Sequence, residues 1–148
     1  MTRGSYSMKK EDIIGTTKLI VDRYQTANPF LLAEKLNIEV DWMPLGNFPL
    51  GKTIYDNSAP LVVLNERIKN KPIQYFTLSH ELGHVILQEG LVGYYVGVRF
   101  GHAKLENEAN EFAVSLLGQL YIEENCRIPN NYFELVNLYG LPADKLNI

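Results

Sequence analysis

Apolar positions recur at helical spacing over residues 12–25, where Ile13, Thr17, Ile20, Val21 and Tyr24 fall on one face. Asn28-Pro29 then reads as an N-cap followed by proline at the first helical position, opening a short helix over 30–36 that Asn37 stops. The period changes to two at Ile38-Glu39-Val40-Asp41-Trp42, which predicts a strand with Val40 and Trp42 packing one face of a sheet. A second strand is expected over 51–55, before the turn residues Asp56-Asn57-Ser58. Leu61-Val62-Val63-Leu64 is the third and most buried-looking strand. Three strands this short and this close predict a small antiparallel sheet with room for a mixed edge, and 61–64 is a candidate edge for an extended peptide.

Helical patterning returns in the second half. Pro72 fits the first turn of a helix running to Gln88, and Gly90 fits its end. Residues 90–104 form a connector rich in glycine and tyrosine, without a period. Residues 105–121 make a strongly amphipathic helix, and 130–139 a weaker last one ended by Gly140 and Pro142. Helices, a small sheet, then helices is an α+β order, not an alternating α/β one. With 148 residues the chain is expected to be a single domain, its first 11 residues flexible and 123–148 a C-terminal helical extension.

Composition narrows the function. The formal net charge is −3, from 14 Lys+Arg and 17 Asp+Glu, which argues against a duplex-binding protein, so no direct nucleic-acid contact is expected. Cys126 is the one cysteine, so an intramolecular disulfide and a cysteine zinc cluster are both excluded, and no role is assigned to it. No apolar stretch approaches the roughly 20 residues that cross a bilayer, and no apolar run follows the basic N-terminus; a cytoplasmic protein is the expectation. Histidine is scarce: His80, His84 and His102 are all there are.

Two of these stand in His80-Glu81-Leu82-Gly83-His84, inside the helix over 72–88. Histidines four residues apart lie one turn apart on one helix face, so both rings can reach a single zinc ion. Glu81 is turned about 100° from His80, off the metal but near a water that the metal would activate, and is placed to act as general base. Gly83 allows another backbone to come close. A five-residue match of this kind also arises by chance, and two satisfied histidines would explain it equally well. The apolar flanks Phe76, Leu78, Leu82, Val85, Ile86 and Leu87 bury this helix, however, and its polar groups then need partners that a metal would supply.

A catalytic zinc takes three protein ligands, and with one histidine left a carboxylate is the better third. In the helix over 105–121 the apolar residues centre on Ala109; Glu106 lies roughly 70° from that direction, Glu108 roughly 90° and Glu111 roughly 150°. Glu111 is therefore expected to face water. Glu106 is the preferred ligand, Glu108 the alternative, and Asn110 could hold the free nitrogen of a ligand histidine. His102 reads as a surface loop residue or, less readily, as a contact to substrate. Tyr94 and Tyr95 could donate to a developing oxyanion.

The run Phe76 to His84, with Glu106-Asn107-Glu108-Ala109-Asn110-Glu111-Phe112-Ala113 and then Leu116-Leu117, resembles the ImmA/IrrE metallopeptidases over residues 13–117. That resemblance implies a small zincin-like fold with His80, His84 and Glu106 on Zn2+ and Glu81 as base. It also implies an endopeptidase that cleaves, or otherwise relieves, a helix-turn-helix repressor of a phage or mobile element. Many members continue into Leu-Leu-Met-Pro; here Leu116-Leu117-Gly118-Gln119 follows, without the proline. A different class of function is a module that binds a repressor without cutting it and keeps zinc for structure or regulation.

Overall fold

The computed structural model describes residues 9–88 and 99–144, with the side chains of 99–101 excepted. In chain order, α1 is Lys10–Tyr24, α2 Pro29–Lys35, β1 Glu39–Met43, β2 Gly51–Asp56, β3 Ala59–Asn65, and a 3-10 turn is Glu66–Ile68. There follow α3 Ile73–Gln88, α4 Arg99–Asn125 and α5 Tyr132–Tyr139. The α+β class expected from the sequence is the one observed.

Local chemistry explains most of these boundaries. Asn28 caps α2, its side chain accepting from the amides of Phe30 and Leu31, with Pro29 in the first turn. Asn37 stops that helix in a left-handed conformation, with φ 59°. Asn57 and Ser58, with φ 52° and 70°, make the tight β2–β3 hairpin that the turn residues foretold. Of the stretch expected to be flexible, Lys10 and Glu11 belong to α1, while residues 1–8 lie outside the described residues.

The sheet has the mixed edge that the sequence left room for, and it corrects one expectation. Its order is β1-β3-β2, with β3 antiparallel to β2 but parallel to β1, so it is mixed. Strand β3 lies at the centre, hydrogen-bonded on both sides; residues 61–64 are therefore not an edge open to a peptide. A run apolar at every position suits the strand that is most enclosed. Val62 and Leu64 enter the core, and Thr53 sits opposite Val62 in the register. Val40 and Trp42 pack against the core as expected, with Phe30 stacked on Trp42 at 6.3 Å between centroids.

Helix α4 is longer than its periodicity predicts. It starts at Arg99, inside the stretch read as a connector, and runs to Asn125 rather than 121. The missing proline after Leu117 is consistent with that extension, since nothing interrupts the backbone bonds there. Glu123 then fastens the α1–α2 turn, accepting from the Ala27 amide at 2.7 Å and the Thr26 hydroxyl at 3.1 Å.

Helix α3 lies between the sheet and α4, and α1 packs on another side of α4. The α3–α4 contact is closest at Gly83, where an added Cβ would lie 3.1 Å from Ala109 Cα and 3.2 Å from Phe112 Cβ. At the far end, Glu134 of α5 accepts from the Tyr121 hydroxyl at 2.6 Å, from Arg127 at 3.2 Å and from the Asn130 amide. Those bonds, Tyr121's first, hold its carboxyl down at about 2 from an ordinary 4.5.

Gly83→Val is expected to cost about 1–3 kcal/mol by overpacking the α3–α4 contact. Urea unfolding would show it as a lower midpoint at unchanged slope, and an unchanged midpoint would contradict so close a contact. A lowered folded pKa means that ionised Glu134 stabilises fully above its unfolded pKa of 4.5, and that this is lost as pH falls through about 2. Glu134→Gln should therefore melt below wild type at pH 7, with the gap closing between pH 4.5 and 2; a gap independent of pH would sink this account.

Candidate metal centre

His80 and His84 project from consecutive turns of α3 toward Glu106 on α4. Their rings meet edge to face, with centroids 4.7 Å apart and planes at 85°. His80 Nε2 is 3.1 Å from His84 Nε2 and 3.1 Å from Glu106 Oε1, and His84 Nε2 is 2.9 Å from Glu106 Oε2. These three residues form a cluster able to hold a metal ion, and among the described residues no other group of histidine, cysteine and carboxylate does so.

The outer nitrogens are held as well. His80 Nδ1 is 2.8 Å from Asn110 Oδ1, and His84 Nδ1 is 2.5 Å from Gln88 Oε1. With an amide oxygen as partner, each Nδ1 carries the proton, and in the neutral ring each Nε2 presents a lone pair. Two imidazole lone pairs and a carboxylate then face one another at about 3 Å, which is unfavourable unless a positive charge lies between them. The His80 and His84 rings hold the Glu106 carboxyl far below the usual carboxylate range. Burial works against charge on His84, but its bonds to Glu106 and Gln88 outweigh that and its pKa is raised.

The donor set fits zinc. Ligands at about 2.0–2.1 Å in a tetrahedron stand roughly 3.4 Å apart, close to the separations here. Two imidazoles and one carboxylate also leave a fourth position for water or substrate. The His80 and His84 side chains are 14% and 17% exposed and Glu106 is 41% exposed, so the site opens on the Glu106 side.

Glu81 points elsewhere on α3. Only 8% exposed, it accepts a hydrogen bond of 2.8 Å from Thr53 Oγ1 on β2. Glu81 and Thr53 line a cavity of about 200 Å³ together with Tyr55, His84, His102, Leu105 and Glu106. The carboxylate thus opens onto the same space as two of the three cluster residues.

The sequence-derived residues separate clearly. His80, His84 and Glu106 come together, and Glu81 borders them. Glu108 is not part of the cluster; it is buried and accepts from Gln88 Nε2 at 3.3 Å. Glu111 does not face open water. It is 19% exposed and 3.8 Å from Lys10, because α1 covers that side of α4. His102 is exposed, but on α4 and at the cavity wall, not in a loop. Tyr94 and Tyr95 lie outside the described residues. Cys126 is exposed just past α4.

Two residues escaped the sequence reading. Gln88 follows His84 by one helical turn, a spacing that could have marked it as a partner. Thr53 has no such signal, because only the fold brings β2 to Glu81.

Residues 33–117 match the family model described as the IrrE N-terminal-like domain of a peptidase family. Over 147 residues the chain is also 34% identical to a protein of Bacillus phage phi105 described as an uncharacterized immunity region protein, covering 96% of this chain and 89% of that one. The match spans the sheet and both helices that carry the His80–His84–Glu106 cluster, and the chain belongs to the IrrE N-terminal-like peptidase family, the ImmA/IrrE group.

Proposed function

We propose that this protein is a zinc-dependent endopeptidase that hydrolyses peptide bonds of a protein regulator, a helix-turn-helix repressor of a phage or mobile element. The observation that carries the reading is the convergence of His80, His84 and Glu106 beside the buried carboxylate of Glu81. Zinc, when bound, supplies a Lewis acid that polarises a carbonyl and makes a water easier to deprotonate.

The chain supplies the rest. His80, His84 and Glu106 are the ligands, their approach angles set by Asn110 and Gln88. Glu81 is the general base: it takes the proton of the attacking water and gives it to the leaving amine. Thr53 donates to one carboxylate oxygen of Glu81, so the other is left to face the cavity. A regulatory protein as substrate is supported by the phage relative, whose description places it in an immunity region. None of the described helices is long and apolar enough to cross a membrane.

The direct test incubates zinc-loaded protein with a helix-turn-helix repressor encoded beside it and follows intact mass. Wild type should generate two fragments whose masses sum to the repressor plus one water. Glu81→Gln should retain zinc and lose about 10²–10⁴-fold in cleavage rate. Association without fragments would replace this reading with that of a repressor-binding module.

Metal removal gives a second test. Zinc at 100 times its Kd should stabilise the folded chain by about 2.7 kcal/mol over chelated protein. Glu106→Ala should abolish most of that difference in a melting experiment, whereas Glu108→Ala should retain it. The reverse pattern would move the third ligand to Glu108.

A further inference from the structure

Gln88, the last residue of α3, is fully buried and bonds at once to the cluster residue His84 and to the backbone that precedes Glu106. Its Nε2 donates to the Leu105 carbonyl at 2.7 Å. A backbone carbonyl only accepts, so this bond settles which end of the amide is nitrogen. The other end, Oε1, therefore faces His84 Nδ1 at 2.5 Å, and that nitrogen must carry the proton. The second Nε2 proton points to Glu108 Oε1 at 3.3 Å. Leu105 immediately precedes Glu106, so a single amide links the His84 ring to the backbone beside the carboxylate. His80 is held differently, by Asn110 from one turn beyond Glu106 on α4.

We propose that Gln88 is a positioning residue that sets the metal affinity of the site by fixing the tautomer and ring plane of His84 through one buried amide, itself anchored on the Leu105 carbonyl. This rests on the reading of His80, His84 and Glu106 as metal ligands. An apolar side chain of similar length leaves His84 free to turn or to change tautomer, and removes the side-chain donor to the Leu105 carbonyl. A glutamate gives up the donors to the Leu105 carbonyl and Glu108 but keeps an oxygen against His84 Nδ1, and so isolates the hold on the ring.

The experiment compares wild type, Gln88→Met and Gln88→Glu. Zinc affinity is measured by competition with a chromophoric chelator, and the visible bands of the Co2+-substituted protein report ligand geometry. Circular dichroism of the metal-free proteins reports folding. Gln88→Met should bind zinc about 10–100-fold more weakly, with altered Co2+ bands, while Gln88→Glu stays within about tenfold of wild type. A folded Gln88→Met that loses less than about tenfold, or a Gln88→Glu that loses more, overturns the proposal. If Gln88→Met does not fold, Gln88→Glu decides alone by the same limit. Wild-type protein that binds no zinc would overturn the metal reading itself, a result distinct from wild type and Gln88→Met binding equally well.

Discussion

Three electron-pair donors from two helices are aimed at one point, and little else in the structure makes sense without that demand. His80, His84 and Glu106 sit at about 3 Å from one another while Asn110 and Gln88 occupy the outer ring nitrogens. Hydrogen bonds of this kind prevent the histidines from simply turning away. They also turn the inner nitrogens toward Glu106, in a cluster that could hold a metal ion.

Holding such a cluster requires two helices at a fixed spacing. Gly83 provides it, because its missing side chain lets Ala109 and Phe112 approach α3 closely. Leu78, Leu82, Leu116 and Leu117 of the same two helices are all fully buried in the core. The sheet contributes from the other side of α3. Its hairpin brings Thr53 to Glu81, which is how a strand without metal ligands takes part in the site. Glu81 is thereby held from the sheet by Thr53 and His80 from α4 by Asn110, while α3 carries both side chains.

Legibility in the sequence followed range. The histidine pair and Glu81 were readable because their relation is local, set by one helical turn. Glu106 was readable from its angle to the apolar stripe and from the second motif. The same arithmetic failed for Glu111, because it assumes a single buried face, whereas α4 is covered by α3 on one side and α1 on another. The start of α4 at Arg99 was hidden in a stretch of glycine and tyrosine with no period. Strand order was hidden as well, since the parallel pairing of β1 with β3 is a long-range event that no turn residue encodes. The Thr53–Glu81 bond depends on that hairpin's placement and was out of reach for the same reason.

The central claim is that one cation belongs between the three donor atoms. Anomalous diffraction at the zinc edge, on crystals of zinc-loaded protein, tests it most directly. The account predicts a peak about 2.0–2.1 Å from Nε2 of both His80 and His84 and from a carboxylate oxygen of Glu106. A peak bound through Glu108 or Glu81, coordination through either Nδ1, or no peak between the two helices would contradict it.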